Sequence, residues 1–446
     1  MGALLRKSHF CFFIYSHSLP FYTEQPQQLF TQAPTLMKVA IIGGGAAGFF
    51  LSIHLKQSCP QADVTIFERA NRVLAKVKIS GGGRCNLTNS FAEAGDLKYI
   101  YPRGHRLMKR LLRTFSHEDA YEWFELHGVP LTTQEDCCVF PQAQDSEAVI
   151  LCLRREASAA GVKVKTGHVV NAVRRTEEEL LSVEFSDPKL GADTFDVVAV
   201  TSGGAPKAEG HDWLAALGHK MEKPCPSLYT FNIDCPALKA LMGIVVENAT
   251  VSIPGSKLHA DGPLLITHWG VSGPTVLKLS SYAARLLSEQ AYCAPLLINW
   301  SGESNNEEAA EMLGDLATEN PRKQLGSLRP YGLQGRLWTY LLQRAGLDAE
   351  KPWGELGKKG LNRLANVLTA DAYEINGKGS FREEFVTCGG VSLESVHLNT
   401  LESKACPGLY FAGEVLDIDA ITGGFNFQAA WTTGFVAAQA IAQRER

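Results

Sequence analysis

Residues 38–55 read KVAIIGGGAAGFFLSIHL. The apolar run 39–42 precedes Gly43, Gly45 and Gly48, which have the spacing G-x-G-x-x-G. This order is typical of a buried parallel strand, a tight turn and a helix. The first glycine permits the turn, the second lets the backbone approach a pyrophosphate, and the third lets helix and strand pack closely. The stretch therefore predicts a dinucleotide-binding unit of the Rossmann type.

The residues after the turn extend this prediction. A second strand is expected over residues 64–67, and it ends in Glu68, about 20 residues beyond the third glycine. A carboxylate at this distance accepts hydrogen bonds from a ribose, and the helix N-terminus receives the phosphates. The helix is expected to be amphipathic. Its apolar residues available for packing are Phe49, Phe50, Ile53 and Leu55.

Two distant segments indicate which dinucleotide is bound, since FAD and NAD share the glycine pattern. Residues 162–175 and 195–207 read as strands, and the second contains TSGG at 201–204. TSGG resembles the Ala-Thr-Gly-Gly turn of flavoproteins with two-dinucleotide-binding-domain ancestry. Near the C-terminus, residues 409–412 read as a strand, and a helix of small residues follows the glycine pair 423–424. A helix N-terminus beside a flavin stabilises negative charge on the reduced ring, so both segments favour FAD.

Composition limits the class of protein. The chain has 446 residues, which suggests two or three domains. Its 43 basic and 47 acidic side chains leave no basic excess, so we expect no nucleic acid partner. The 11 cysteines form no C-x-x-C motif, which indicates reduced thiols in a cytoplasmic protein. The 12 histidines form no H-x-x-x-H or H-E-x-x-H motif, so we expect no metal site.

The first 36 residues differ from the rest of the chain. FCFFIYSHSLPFY is apolar and aromatic, and QPQQLFTQAPT is polar with prolines. The apolar run is interrupted by Ser16, His17 and Pro20 and is too short to span a bilayer, so no membrane association is expected. Met37 directly precedes the first strand. We expect the fold to start there, with residues 1–36 a disordered tail or an over-long start.

Four longer motifs identify a family. They are SGGGRCNLTN (80–89), LLITHWGVSGPTVLKLS (264–280), CGGVSLESV (388–396) and LESKACPGLYFAGEVLDIDAITGGFNFQAAWTTG (401–434). In this order they closely resemble the HI0933-like flavoproteins, from about Met37 to the C-terminus. The resemblance implies an α/β fold. A Rossmann-like FAD-binding domain of the two-dinucleotide-binding-domain flavoprotein type would be interrupted by an inserted β-barrel-like and helical domain.

The sequence agrees with that division into domains. Residues 37–223 and 386–446 are predicted to form the two parts of the FAD-binding domain, and residues 224–385 the insertion. Residues 305–370 have helical apolar spacing and are predicted to be its helical part. Short strand-like runs separated by Gly and Pro begin after Pro224. Examples are 228–233, 244–253 and 263–267.

By resemblance, the FAD contacts come from several regions. The glycine turn would hold the pyrophosphate, Glu68 the adenosine ribose and the Val170 backbone the adenine. ISGGGRCNLTN (79–89) lacks the strand and helix of a second phosphate loop, and it is expected to lie along the flavin with the C-terminal glycines opposite. The full set of expected cofactor contacts is Gly43, Gly44, Gly45, Ala46, Ala47, Gly48, Glu68, Arg69, Lys76, Gly81, Gly82, Gly83, Arg84, Cys85, Asn86, Val170, Thr201, Gly203, Gly413, Glu414, Gly423, Gly424, Phe425 and Asn426.

Cys85, His268 and Glu414 are candidates for the chemistry, and no catalytic role is assigned to any of them. Cys85, next to Arg84, is either a redox thiol or a small buried packing residue. His268 lies in a motif at the insertion boundary and either contacts substrate or is structural. Glu414 and Asp417 either move protons or position the cofactor.

A hydrolase is disfavoured at the serine of GVSGP. Ser272 is followed directly by Gly273 and Pro274, whereas a nucleophile elbow has the pattern G-x-S-x-G. We expect Ser272 to cap a helix whose first residue is Pro274.

These observations predict an FAD-dependent oxidoreductase that acts on a small organic substrate at the flavin ring. Only one complete nucleotide fingerprint is present, so electrons pass either to oxygen or from a transiently bound or external donor such as NAD(P)H. An amine oxidase and an enone reductase remain open. A flavin-bearing redox sensor or RNA-associated accessory protein with little turnover is a further alternative. The substrate and the oligomeric state are not determined by the sequence.

Overall fold

The computed structural model describes residues 36–205, 211–379 and 386–444, and every structural statement below concerns those residues. The predicted tail, residues 1–36, lies outside them except for Leu36. The first strand begins at Lys38, one residue after Met37. Within the described residues, no helix is both long and apolar enough to cross a lipid bilayer.

A five-stranded parallel sheet lies at the centre of the nucleotide-binding part. In spatial order its strands are β19 (Leu409–Phe411), β10 (Val197–Val200), β1 (Lys38–Ile42), β2 (Asp63–Phe67) and β6 (Lys163–Lys165). In the middle strand, Val39 pairs with Val197 on one side and with Val64 on the other. These residues are fully buried because both faces of the sheet are covered, so the strands read as apolar runs. The predicted Rossmann-like arrangement is confirmed.

Helices α1 (Ala46–Ser58) and α14 (Phe425–Ala442) pack against each other beside this sheet. Residues 47–55 of α1 are all buried, so the prediction of an amphipathic helix is wrong. The helix is buried because other helices cover it on several sides. The Phe50 ring lies 5.2 Å from that of Trp431 in α14 and 4.9 Å from that of Trp123 in α5 (His117–Leu126). A helix covered all round has no solvent face and needs no polar stripe.

The nucleotide-binding part also contains two small antiparallel sheets and several shorter helices. One sheet has the order β3 (Thr88–Asn89), β5 (Cys138–Pro141) and β4 (Leu131–Thr133), and the other β7 (Val170–Arg175), β8 (Leu181–Phe185) and β9 (Ala192–Phe195). The run 162–175 is therefore split between β6 and β7, because the chain turns at Gly167 with φ 70°. The remaining helices are α2 (Ala75–Ile79), α3 (Leu97–Ile100), α4 (His105–Leu111), α6 (Glu147–Ala159) and α7 (Asp212–Ala216).

Six further strands close into a barrel with a hydrophobic core of its own. In order around the barrel they are β12 (Phe231–Ile233), β15 (Gly270–Ser272), β14 (His259–Ile266), β13 (Val245–Ser252), β16 (Cys293–Asn299) and β17 (Asp371–Lys378). Three helices accompany the first five barrel strands, namely α8 (Pro236–Lys239), α9 (Pro274–Tyr282) and α10 (Ala284–Glu289). Three more lie between β16 and β17 in the chain, namely α11 (Asn306–Glu319), α12 (Gly335–Arg344) and α13 (Gly357–Ala370).

The start of α9 differs in one respect from the prediction. Pro274 is the first helical residue, as expected, but the cap is Gly273, and Ser272 is the last residue of β15. Gly273 has φ 97°, and a Cβ at this position would lie 2.7 Å from the carbonyl oxygen of Pro263. The close approach of β14 therefore requires glycine at the cap, and Ser272 makes no capping hydrogen bond.

Two strands carry the chain between the sheet and the barrel. β11 (Met221–Pro226) leads to the barrel, and β18 (Thr387–Val391) returns from it, and the two pair antiparallel. The boundary expected after residue 223 falls inside β11.

A buried polar cluster lies at the same junction. Arg103 forms two hydrogen bonds to the carboxylate of Asp419, and it donates to the Ser281 carbonyl oxygen over 2.6 Å. Ser227 also donates to Asp419. The Asp419 side chain is fully buried and that of Arg103 is 10% exposed. The cluster therefore joins the nucleotide-binding part (Arg103, Asp419) to the segment that enters the barrel (Ser227) and to α9 (Ser281).

Replacing Asp419 by Ala should strongly destabilise the protein. The Arg103 guanidinium would remain buried without its carboxylate, and such a loss costs about 3–5 kcal/mol. Urea unfolding should show the loss, whereas Glu184→Ala, which removes the exposed pair with Arg174, should change the free energy of unfolding by no more than about 1 kcal/mol. Equal effects of the two substitutions would contradict this account of the junction.

Candidate functional site

The glycine turn after β1 has the geometry that its three glycines predict. A Cβ at Gly43 would lie 2.5 Å from the Thr201 carbonyl oxygen, and one at Gly48 would lie 2.2 Å from the Gly43 carbonyl oxygen. Gly43 also has φ 117°. A Cβ at Gly45, in contrast, would meet no heavy atom within 4 Å. The first and third glycines are thus required by packing, and the second faces open space where a ligand can approach the backbone.

The N-terminus of α1 opens into this space. Gly45 is its cap residue and makes no side-chain capping hydrogen bond, and the first turn contains no acidic residue. The first N–H groups of a helix have no partner within the helix, so they are available to an anion. A pyrophosphate fits this arrangement.

Glu68 lies directly beside the turn. One of its carboxylate oxygens accepts a hydrogen bond from the Gly44 N–H over 2.8 Å, and the other accepts from the Ala70 N–H over 2.8 Å. Each oxygen keeps a further lone pair, so the carboxylate can still accept from a ribose hydroxyl. The His168 N–H donates to the Glu68 carbonyl oxygen over 2.9 Å, which places the start of β7, at Val170, next to this end of β2.

The N-terminus of α14 has the same character as that of α1. Its cap is Gly424, with φ 88°, no side-chain capping hydrogen bond and no acidic residue in the first turn. A Cβ at Gly424 would lie 2.2 Å from the Thr88 carbonyl oxygen. Asn89 donates to the Gly423 carbonyl oxygen over 3.0 Å. With the Asn86 amide turned so that its oxygen faces α14, that oxygen accepts from the Gly424 N–H over 3.2 Å. These contacts join residues 86–89, which follow the glycine run, to the start of α14.

The three residues of the glycine run have left-handed backbone conformations. Gly81, Gly82 and Gly83 have φ 57°, 68° and 87°, and at Gly82 and Gly83 a Cβ would meet no heavy atom within 4 Å. The Arg84 side chain turns back on this run. It donates to the Gly81 carbonyl oxygen over 3.2 Å and lies 4.2 Å from the Phe140 ring centroid. Open space therefore lies along the glycine backbone, and the Arg84 side chain holds the turn in place.

Cys85 does not have the environment of a reactive thiolate. Its side chain is fully buried, and burial raises the pKa of the thiol to about 12. A thiol with this pKa is neutral at physiological pH, so the structure favours the packing role over the redox role.

Lys76 and Glu414 meet although they are far apart in sequence. The Lys76 ammonium lies 2.6 Å from one Glu414 carboxylate oxygen, and the other oxygen accepts from the Thr387 N–H over 2.7 Å. A Cβ at Gly204 would lie 2.9 Å from this carboxylate, and Gly203 lies beside it. Glu414 thus connects α2, the end of β10 and the start of β18.

Phe425 and Asn426 have mainly structural contacts. The Asn426 amide donates to the Ala420 carbonyl oxygen over 3.0 Å and accepts from the Ala420 N–H over 2.9 Å. The Phe425 ring is 5.0 Å from that of Phe91, and its carbonyl oxygen accepts from Tyr101. Their side chains hold the loop before α14, which leaves their backbone N–H groups as the possible ligand contacts.

The two remaining candidates are His268, which lies in a turn of the barrel, and Asp417, which is in an ion pair. His268 is exposed in the turn between β14 and β15, and its ring packs edge-on against Trp269. Among the contacts of the described residues, none joins His268 to Lys76 or Glu414. Asp417 forms an ion pair with Arg285 at 2.8 Å.

Sequence reasoning missed Thr387, Asn89 and the Arg103–Asp419 pair. Their partners lie far away along the chain, so no local spacing could have indicated them.

The fold is a dinucleotide-binding fold of the Rossmann type. Its candidate site has two helix N-termini capped by glycine, an acidic residue at the end of β2 and a glycine run with open space. A sequence profile of the HI0933-like protein Rossmann domain matches residues 37–440. The chain therefore belongs to the HI0933-like family of FAD-dependent oxidoreductases.

Several known proteins are similar to this chain over most of its length. It is 26% identical to a 3-dehydro-bile acid delta(4,6)-reductase of Clostridium scindens, over 91% of this chain and 99% of that protein. It is 28% identical to a ribosomal RNA dihydrouridine synthase of Escherichia coli, over 90% of this chain and 96% of that protein. Among solved structures, a 3-ketosteroid-delta4-(5alpha)-dehydrogenase from Rhodococcus jostii has 14% identity and a TM-score of 0.48, over 94% and 99% of the two chains.

Replacing Gly45 by Val should abolish FAD retention without unfolding the protein. The new side chain would occupy the open space at the start of α1 and would displace the pyrophosphate. The flavin-to-protein absorbance ratio after gel filtration should fall by about tenfold or more, equivalent to at least ~1.4 kcal/mol of binding free energy. Gly95→Val is the matched control, because a Cβ at Gly95 also meets no heavy atom within 4 Å. Full flavin retention by Gly45→Val would show that the phosphate assignment is wrong.

Proposed function

We propose that this protein is an FAD-dependent reductase that saturates a carbon–carbon double bond conjugated to a carbonyl group. The observation that carries the proposal is what the names of its relatives share. One relative is a reductase of a 3-dehydro-bile acid with 4,6 unsaturation, and others make dihydrouridine in ribosomal RNA. A 3-oxo-4,6-diene and a uracil ring have in common a double bond conjugated to a carbonyl group. Saturation of that bond is therefore the reaction that we assign to this chain.

The residues of the site fit FAD, which supplies the hydride for such a reduction when it is bound. The free N–H groups at the start of α1 would bind the pyrophosphate, and the Glu68 carboxylate the ribose. The backbone of residues 81–83 would lie along the flavin ring, because space is open at Gly82 and Gly83. The N-terminus of α14 would stabilise negative charge on the ring.

NAD(P)H is the electron donor that we propose. The described residues contain one parallel nucleotide-binding sheet and one glycine turn of the G-x-G-x-x-G type. A nicotinamide donor would therefore visit the flavin transiently and would have no Rossmann domain of its own. An amine oxidase, the alternative with oxygen as acceptor, has no counterpart among the relatives named above.

Anaerobic stopped-flow spectroscopy tests the reaction class. The bound flavin should be reduced by NADH or NADPH and then reoxidised by a conjugated enone. Reoxidation by the enone should be roughly 100-fold faster than by its saturated ketone, which corresponds to about 2.7 kcal/mol of activation free energy. The saturated ketone is the matched control because it lacks only the double bond. Rapid reduction of the flavin by an amine, with peroxide formed in air and no reaction with any enone, would contradict the proposal.

A uracil base within RNA is a second candidate substrate, and the exposed face of α4 favours it. Arg106, Lys109 and Arg110 of α4 and Arg113 just after its end are exposed, whereas the opposite side of the helix is buried. Residues 97–116 contain no Asp or Glu, so this face is a local exception to the charge balance of the chain. Just before α4, Tyr101 donates to the Phe425 carbonyl oxygen at the start of α14. A basic surface close to the flavin end of α14 suits a polyanion.

Charge removal on α4 distinguishes the two substrates. If RNA is the substrate, Arg106→Ala and Arg113→Ala should weaken RNA binding and reduce the slope of its salt dependence by roughly 1 for each lost phosphate contact. Reoxidation of the flavin by a small enone should not change. Fluorescence anisotropy with a uridine-containing RNA measures the binding. Affinity for RNA that is independent of these residues and of salt would exclude this surface as the RNA site.

A further inference from the structure

Two cysteines lie opposite each other in the ladder that joins the barrel to the nucleotide-binding part. Cys225 of β11 pairs with Cys388 of β18 in the antiparallel register. Both are buried, at 4% and 0% exposure, and with Ala284 they form a small apolar cluster of their own. Both are free thiols. Paired residues of an antiparallel ladder have Cα separations of about 4.5–5.5 Å, within the range of about 4.4–6.8 Å that a disulfide spans.

We propose that Cys225 and Cys388 form a redox-active pair that hydrogen peroxide converts into a disulfide across β11 and β18. The pair joins the two segments by which the chain enters and leaves the barrel. A disulfide here would enclose the whole insertion in one covalent loop, because β11 leads into the barrel and β18 leads out of it. A disulfide between the two strands of an ordinary hairpin would enclose only a short loop.

The surroundings favour attack by Cys225. The pKa of its thiol lies below the ordinary value because the neighbouring Cys388 thiol favours the thiolate, and the charges of Arg103 and Arg285 lower it further, while burial and the Asp419 carboxylate act in the opposite direction. A cavity of about 270 Å³ is lined in part by residues 221–224 and 389–390, which directly adjoin the two cysteines. The cavity thus reaches the strand residues beside the pair, and neither cysteine lines it.

The oxidation balances with one molecule of peroxide. The Cys225 thiolate attacks a peroxide oxygen, the O–O bond breaks, and the leaving hydroxide takes up the proton that Cys225 released to form water. The sulfur of Cys388 then attacks the resulting sulfenic acid, the S–S bond forms, and the second oxygen leaves as water with the proton of Cys388. Two thiols are oxidised by two electrons in total and peroxide is reduced to two waters. A dithiol reductant reverses the reaction by thiol–disulfide exchange.

The bond would also affect the flavin end of the molecule. Cys388 follows Thr387, whose N–H donates to Glu414, and Glu414 pairs with Lys76. Fixing the start of β18 to β11 therefore fixes one of the groups that orient Glu414. This consequence does not require the proposed reductase activity, so the pair can be tested on the protein whatever its substrate is.

Peptide mapping after peroxide treatment tests the pair directly. The purified full-length protein is treated with hydrogen peroxide, alkylated under denaturing conditions and digested without reduction. A peptide pair linked through Cys225 and Cys388 should form about tenfold faster, or more, than irreversible oxidation of the exposed Cys293, and dithiothreitol should release it. Cys85, whose buried thiol has a raised pKa, should stay alkylatable throughout. Cys225 and Cys388 that remain free thiols while Cys293 is oxidised would overturn the proposal.

Two further measurements separate the bond from its mechanical effect. Cys225→Ser and Cys388→Ser should each abolish the linked peptide. In the unaltered protein, the amides of β11 and β18 should exchange with deuterium about tenfold more slowly after oxidation than after reduction. Exchange that is unchanged by a linkage already seen in the peptide map would show that the bond forms without stiffening the junction, and would contradict that part of the proposal. Because the peptide map uses the unaltered protein, misfolding of a serine variant would not obscure the outcome.

Discussion

The contact between α1 and α14 determines how the two ends of the folded chain meet. A Cβ at Gly434 of α14 would lie 3.0 Å from the Ala47 carbonyl oxygen and 3.4 Å from the Leu51 nitrogen, so glycine is needed for the two backbones to approach. A Cβ at Gly413, in the turn that follows β19, would lie 2.9 Å from the Ala47 side chain. These contacts place the start of α1 against α14 and against the turn at Gly413, so residues from both ends of the described chain meet there.

The barrel is built into the chain between these two ends, so its connection to the sheet matters for the site. The chain crosses between them in β11 and β18, and the buried pair of Arg103 and Asp419 lies beside this crossing. Asp419 belongs to the loop that leads to Gly423 and Gly424. The residues that join the barrel to the sheet therefore also hold the loop before α14, and a disturbance at the junction would reach the start of that helix.

The sequence predicted the parts of the fold that depend on local physics. The strand, turn and helix around Gly43 were predicted from the spacing of the three glycines, and β1, β2, β10 and β19 were predicted as apolar runs, which agrees with their burial in the sheet. The amphipathic prediction for α1 failed because cover by α5 and α14 is a tertiary property that a helical pattern does not reveal. The prediction that Ser272 caps α9 was wrong for a similar reason, because the order of residues does not reveal how closely β14 approaches Gly273.

The candidate site was also predicted only where it depends on local sequence. The glycine positions were indicated by their spacing and by the family resemblance, whereas the roles of side chains around them depend on distant partners. Arg84 turns back onto its own glycine run, and Asn426 holds the loop before α14. Lys76 forms an ion pair with Glu414, although most of the chain lies between them in sequence. Interactions between residues so far apart leave no spacing in a single sequence, so they required the folded structure.

A crystal structure of the purified yellow protein with its FAD tests the central claim most directly. The account predicts that the pyrophosphate oxygens accept hydrogen bonds from the backbone at Gly45 and the first turn of α1, that Glu68 contacts the adenosine ribose, and that the flavin ring lies between Gly82–Gly83 and the N-terminus of α14. A pyrophosphate bound away from α1, or a flavin ring that contacts neither the glycine run nor α14, would contradict it.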